Sequence, residues 1–347
     1  MKNYSGILSY TQSISYQLGI GENLDAFILK NNSRIMFWKN KMGLRKWFEK
    51  NRNFIWINNP QAKFDIEALN SYNNIFLNNI SIFITGCNSS LIPFLKKNKF
   101  EIMKTGKEAI LKLDYAHFRN KSLKEIIRIG FKHGNIIEVP YSDKIRDKLE
   151  EFKSECTHSN EPQLKYLYND ILLPSNRLFV FESENGAWLG AITVRIMDKE
   201  KVITDLILRS KMATKGTMEA LIYSIFGKIK QEGFISWSLG EVPYIIYDSP
   251  KLTKEFLINF TGRRLKFAYN YLGLYNFKNK FEPEWQEVYT CGKPKLNLTT
   301  FVKAASFSNM TTLVRSKFFY NLYSSGKAFR NNEIKRKPVN SDYSKVS

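Results

Sequence analysis

The chain has 347 residues, enough for about two ordinary domains, each with its own core. Lys and Arg number 53 against 32 Asp and Glu, so the formal net charge is +21, a balance that favours polyanionic partners such as nucleic acid or an anionic membrane surface. Cys87, Cys156 and Cys291 form no metal-binding spacing with His117, His133 or His158, so neither a metal site nor a disulfide framework is expected. The first twenty residues lack the apolar core of a signal peptide, and nowhere do 18 apolar residues run together. The expectation is a cytoplasmic protein, either soluble or peripheral at the inner face of the membrane.

The N-terminal part has strand-like runs at Arg34–Trp38, Phe54–Asn58 and Ile80–Gly86, and a further pair, FEIMK and AILKL, follows SSLIPFLKK. This α/β pattern ends near Asp114. From Asn120 to Gly134 the spacing predicts a helix with Leu123, Ile126, Ile127 and Phe131 on one face. Lys121, Lys124, Arg128 and Lys132 recur on another, either as a solvated basic face or as a contact for a polyanion. A second helix starts after Ser142, the expected N-cap. The run from Arg177 to Ile196 reads as a hairpin turning at Asn185-Gly186, followed by a strand at Val202–Leu208. An amphipathic helix over Thr214–Gln231 and a strand at Phe234–Gly240 come next. Helix, hairpin, strand, helix, strand is the order of a GNAT acyltransferase unit, with a helix across a mostly antiparallel sheet.

The stretch LGLYNFKNKFEPEWQEVY, Leu272 to Tyr289, sets two lysines in an aromatic run. Read as a strand, it puts Phe277, Asn279 and Phe281 on one face and Lys278 and Lys280 together on the other. Two readings stay open: snorkelling surface lysines, or an anion site. After Cys291 an apolar and basic segment containing Phe301, Phe318, Lys303 and Arg315 reads either as a docking helix or as an amphipathic element on an anionic bilayer.

GKEAILKLDYAHFRNKSLKEIIRIGFKHG, ENGAWLGAITVR, GTMEALIYSIFGKIKQEGFISWSLGEVP and the stretch just quoted resemble, in order, the C-terminal cytosolic domain of bacterial phosphatidylglycerol lysyltransferases. The family pattern G-L-x-x-[FY]-K-x-K-[FY]-x-P-x-W is met by Gly273, Leu274, Phe277, Lys278, Lys280, Phe281, Pro283 and Trp285. The resemblance implies an α/β fold of two tandem GNAT-like domains, over 1–118 and 119–295. An amphipathic helical segment over 296–326 and a disordered polar tail over 327–347 complete the expected division. It implies transfer of an aminoacyl group from aminoacyl-tRNA to a lipid hydroxyl, in a free-standing version without a membrane-embedded domain, and with neither metal nor cofactor.

Under that resemblance the basic helix, through Lys121, Lys124, Arg128 and Lys132, meets the tRNA backbone, while Lys278 and Lys280 hold a phosphate or the terminal adenosine among aromatics that include Trp285. Asp205 and Glu241, near the ends of adjacent central strands, are candidates for proton handling; Glu241 also suits the donor's α-amino group. Asp205 and Arg209 resemble the family's D-L-x-R pair, at a spacing of four rather than three. Arg263 and Arg264 form either a phosphate clamp or a surface pair. Gly216 stands alone before the amphipathic helix, which disfavours coenzyme A, although a helix N-terminus beside Lys211 and Lys215 can still hold phosphate. The alternatives are an acyl-CoA N-acyltransferase and a non-catalytic RNA- or membrane-binding protein on the same scaffold.

Overall fold

The computed structural model of the protein describes residues 34–37, 54–58, 81–165, 167, 171–197, 199–245 and 253–320. The tail beyond Lys327, expected to be disordered, lies outside these residues. Ten strands among them make one sheet: β1 (Arg34–Phe37), β2 (Phe54–Asn58), β3 (Ser81–Cys87), β4 (Glu101–Lys112), β5 (Asn135–Val139), β6 (Asn176–Glu182), β7 (Trp188–Ile196), β8 (Lys201–Arg209), β9 (Ser236–Pro243) and β10 (Glu284–Lys293). Their order is β1-β2-β3-β10-β4-β9-β8-β7-β6-β5, antiparallel except at β2–β3 and β8–β9. FEIMK and AILKL, expected as two strands, are one: β4 runs through Gly106 without a break. The expected domain boundary near 118 separates β4 from β10 in sequence, yet β10 lies between β3 and β4, so the two spans share one hydrogen-bonded sheet.

Helices cover both faces. The helix α1 (Ile92–Lys97) follows β3. The basic helix α2 (Lys121–Phe131) is capped by Asn120, whose side chain accepts from the Ser122 and Leu123 amides. Ser142 caps α3 (Asp143–Glu155) as expected. The helix α4 (Thr217–Gln231) is the centre of the largest core, where Leu221, Ile222, Ile225 and Ile229 are fully buried against Phe179, Phe181, Ile192 and Val194. Each such side chain contributes about 1.5–3 kcal/mol. The alternate residues Leu178, Val180 and Ala191 face Leu149 and Phe152 of α3 on the opposite side, so strand alternation builds three layers.

The helices α5 (Thr253–Arg264), α6 (Tyr271–Asn279) and α7 (Leu298–Phe307) follow β9 and flank β10. Docking, not a free amphipathic face, is the state of α7: the Phe301 ring meets Phe83 edge-on at 5.0 Å, and Ala304 is buried with Trp56 and Met103. Residues 310–320 are also helical. No helix among the described residues is long and apolar enough to cross a membrane.

Candidate active site

The strands β8 and β9 pair only over Lys201–Ile203 and Ser236–Ser238, after which they part. Just beyond this point β9 shifts register against β4, and Gly240 takes φ +89, a left-handed conformation that glycine adopts without steric cost. The Ser238 hydroxyl accepts from the Gly240 amide at 3.0 Å and donates to Glu108 at 2.5 Å, fixing the bulge. Glu241 follows directly, opposite Glu108 in the β4–β9 register. Its side chain reaches solvent, and no hydrogen bond ties its carboxylate to the described residues. One carboxylate oxygen comes close to Gly106, where a Cβ would lie 3.2 Å from it.

The expected strand over Leu272–Tyr289 is instead α6, a turn, and β10. Asn270 caps the helix by accepting from the Gly273 amide, and Pro283 stands where β10 can begin. On a helix, Lys278 and Lys280 diverge, and this overturns the shared-face reading. Lys278 is only 3% exposed, so it does not snorkel; its Nζ donates to the carbonyls of Gly240 at 2.9 Å and Glu241 at 3.2 Å. Lys280 points away, to Glu219 at 2.8 Å, with its Nζ 5.6 Å from the Phe277 ring centroid. Trp285 stacks on Tyr275 at 4.7 Å and donates to the Asn279 side chain, forming a half-buried aromatic platform beside the helix.

The electrostatics of this strand end follow from the packing. Protein packed around its carboxyl thins the hydration that the open side supplies, and this loss of water first, then the Glu108 charge, pushes Glu241 up to about 7. Burial outweighs the attraction of Glu108 and Glu241 and brings Lys278 down to about 7. A carboxyl and an amine that both exchange protons near neutrality are suited to general acid–base work. Tyr244, three residues on, sits at φ 63, an unusual conformation for a bulky residue.

The other expected site residues are elsewhere. Asp205 accepts from Arg195 at 3.1 and 3.2 Å and from Asn176 at 2.9 Å, so its carboxylate is fully engaged in the sheet. The guanidinium of Arg209 goes to the Ala213 carbonyl at 3.0 Å, and Asp205 and Arg209 do not form a pair. Arg263 and Arg264 lie exposed in the last turn of α5, where Arg264 covers the Phe260 ring. Lys121, Lys124 and Arg128 on α2 and Lys132 at its C-cap are exposed as expected, with Arg128 paired to Glu125 through two bonds.

The first turn of α4 is not open to a phosphate. Gly216, at φ +91, is pressed against α2 so closely that a Cβ there would be 2.2 Å from the Ile126 carbonyl oxygen. A Cβ on Gly130 would be 2.3 Å from the Gly216 carbonyl oxygen, so each glycine is required by the other helix. Thr217, Met218 and Glu219 are buried beneath. His117 is a residue that sequence reasoning missed. It is buried, with Nδ1 3.1 Å from the Phe281 and Glu282 carbonyls and Nε2 2.9 Å from the Lys112 carbonyl, and it pins the turn after α6 to the end of β4. Spacing carries no sign of that long-range contact.

The family model described as phosphatidylglycerol lysyltransferase, C-terminal, matches residues 66–292. A phosphatidylglycerol lysyltransferase of Bacillus subtilis is 24% identical over 166 residues, which are 46% of this chain and 19% of that protein. The match therefore spans about a fifth of that relative's length. Two solved structures share the fold at 17% identity: the C-terminal domain of a putative lysylphosphatidylglycerol synthetase from Agrobacterium fabrum (TM-score 0.61, 80% of this chain and 86% of that one) and L-PGS from Bacillus licheniformis (TM-score 0.62, 85% and 97%). With the match covering well over half of its length, the chain belongs to the phosphatidylglycerol lysyltransferase C-terminal family.

Proposed function

We propose that this chain moves an aminoacyl group from the 3′ end of an aminoacyl-tRNA to a hydroxyl of an anionic, phosphatidylglycerol-like phospholipid. The observation that carries the reading is the Glu241 carboxylate, open to solvent, unbonded among the described residues and raised towards neutrality beside Lys278, in a chain of this family. The donor ester is already activated, so the protein has to position the acceptor and move one proton. The acceptor oxygen attacks the ester carbonyl carbon while its proton passes to Glu241. Collapse of the tetrahedral intermediate breaks the bond to the ribose oxygen, which leaves as a hydroxyl with that proton. Lys278, when protonated, supplies positive charge beside the reacting centre.

The exposed cations of α2 are the proposed contact for the tRNA backbone, and the Trp285–Tyr275 stack is a platform for a terminal base. The proposed division is two GNAT-like units joined along β4 and β10, the second spanning 119–295. The covered first turn of α4 speaks against the acyl-CoA reading, because the amides that would cradle a pyrophosphate are buried.

The test is incubation of the purified protein with radiolabelled aminoacyl-tRNA and phosphatidylglycerol. The expected product is labelled lipid. Label entering lipid from an acyl-CoA, with none from aminoacyl-tRNA, would put the acyl-CoA reading in its place. In filter binding, Lys124→Glu with Arg128→Glu should weaken tRNA affinity at least about tenfold and flatten its salt dependence; unchanged binding removes α2 from the donor site.

A further inference from the structure

The helix α5 presents an apolar face to solvent. Its inward positions include Glu255, buried and accepting from the Lys104 amide at 3.4 Å, and Gly262, where a Cβ would fall 2.4 Å from the Tyr244 ring. The outward face carries Phe256, Leu257 and Phe260, which are 60%, 47% and 46% exposed. Phe256 and Phe260 stack at 6.4 Å with their planes 20° apart, and the Arg264 guanidinium lies 5.0 Å from the Phe260 centroid. Arg263, and Lys266 and Phe267 just past the end of α5, are exposed as well. Three large apolar side chains on one helix face, bordered by cations, are costly to leave in water.

We propose that this face is a docking surface for an anionic lipid bilayer, on which α5 lies in the plane of the headgroups. Charge settles the occupant. In Lys254–Phe267 the acidic residue, Glu255, is turned inward, so the outer surface combines aromatics with Arg263, Arg264 and Lys266. Aromatic and aliphatic groups reach the acyl boundary while guanidinium and ammonium groups stay with lipid phosphates. Tyr244, the ring on which α5 rests, lies three residues from Glu241, so a docked α5 brings the bilayer to the strand end that carries the candidate active site. Arg263 and Arg264, read from the sequence as either a phosphate clamp or a surface pair, then meet lipid phosphates at the membrane.

The proposal deepens the lipid-acceptor reading and rests on it for its purpose, but it is tested by binding alone. In co-sedimentation at fixed salt, the protein should bind phosphatidylglycerol vesicles at least about tenfold more tightly than phosphatidylcholine vesicles. Phe256→Ser with Phe260→Ser should lower that binding at least about tenfold with little change in melting temperature, since both rings are exposed. Arg263→Gln with Arg264→Gln should lower it roughly 30-fold, at about 1 kcal/mol per cation near an anionic surface. A matched pair, Phe318→Ser with Phe319→Ser, should leave it unchanged. Loss of binding in that pair with none in the α5 pairs would overturn the proposal, as would absent vesicle binding by the unmodified chain. Light scattering that shows the α5 pairs splitting a dimer would assign the face to a second copy instead. Transfer to a short-chain, water-dispersed phosphatidylglycerol separates the two readings: the Phe256 and Phe260 pair should keep it and lose transfer to vesicles. Vesicle binding through α5 without any transfer would sink the activity alone.

Discussion

Two carboxylates on neighbouring strands, Asp205 of β8 and Glu241 of β9, look alike in sequence and have opposite surroundings. Asp205 is held by a guanidinium and an amide, with both oxygens engaged and solvent almost excluded. Glu241 sits past a bulge where the strands have parted, reached by solvent, facing another carboxylate across the ladder and a lysine whose hydrogen bonds go to backbone. A satisfied carboxylate stabilises the sheet. One that takes no hydrogen bond from the described residues and stands beside like charge costs stability and is available for chemistry.

Neutralising each carboxylate in turn should separate the two roles by the widest margin. Glu241→Gln should lower transfer by about 100-fold or more, close to 3 kcal/mol in barrier, with the fold intact. Asp205→Asn should do the reverse, losing about 3 kcal/mol of stability because Arg195 is left with an uncompensated charge in the sheet, while transfer persists below the melting range. Transfer assays paired with chemical denaturation of both variants measure this. A Glu241→Gln protein of normal activity would end the assignment.

The two lysines divide in the same way. Lys278→Met should reduce transfer by roughly one to two orders of magnitude, at about 1.5–3 kcal/mol per charged hydrogen bond. Lys280→Met takes the counter-ion from the buried Glu219 and should cost about 1–3 kcal/mol of stability while changing transfer by less than about 1 kcal/mol. Equal effects of the two would mean that the helical divergence has no functional consequence.

The smallest expected effect is in pH dependence. Glu241 is raised, so the folded state binds a proton more readily than the unfolded chain, and its stabilising contribution is present below the ordinary carboxylate range and lost as pH rises towards about 7. Lys278 is lowered, so between about 7 and the ordinary lysine range the unfolded chain holds more protons and stability rises with pH. Together the pair should place a shallow dip in stability near neutrality. Denaturation midpoints across pH should lose the acid side of that dip in Glu241→Gln and the alkaline side in Lys278→Met. Because solvent reaches Glu241, the acid side should be the shallower.

What the sequence determined by itself is what short range controls. The helix at Lys121–Phe131, the Ser142 cap, the Asn185-Gly186 hairpin and the buried stripe of α4 follow from hydrophobic period and capping chemistry within a few residues. The family pattern around Lys278 was legible in the same way. The tertiary structure alone decided the rest. Alternation and helical period are hard to distinguish in an aromatic run as short as Leu272–Phe281, and packing against β9 made it a helix. That choice turned Lys278 inward and Lys280 outward. Which carboxylate is satisfied depends on Arg195 and Asn176, ten and 29 residues from Asp205, and on a bulge that aims two carbonyls at Lys278. The placement of β10 between β3 and β4 is likewise a long-range pairing, because strands separated by more than 170 residues carry no local mark of their partner.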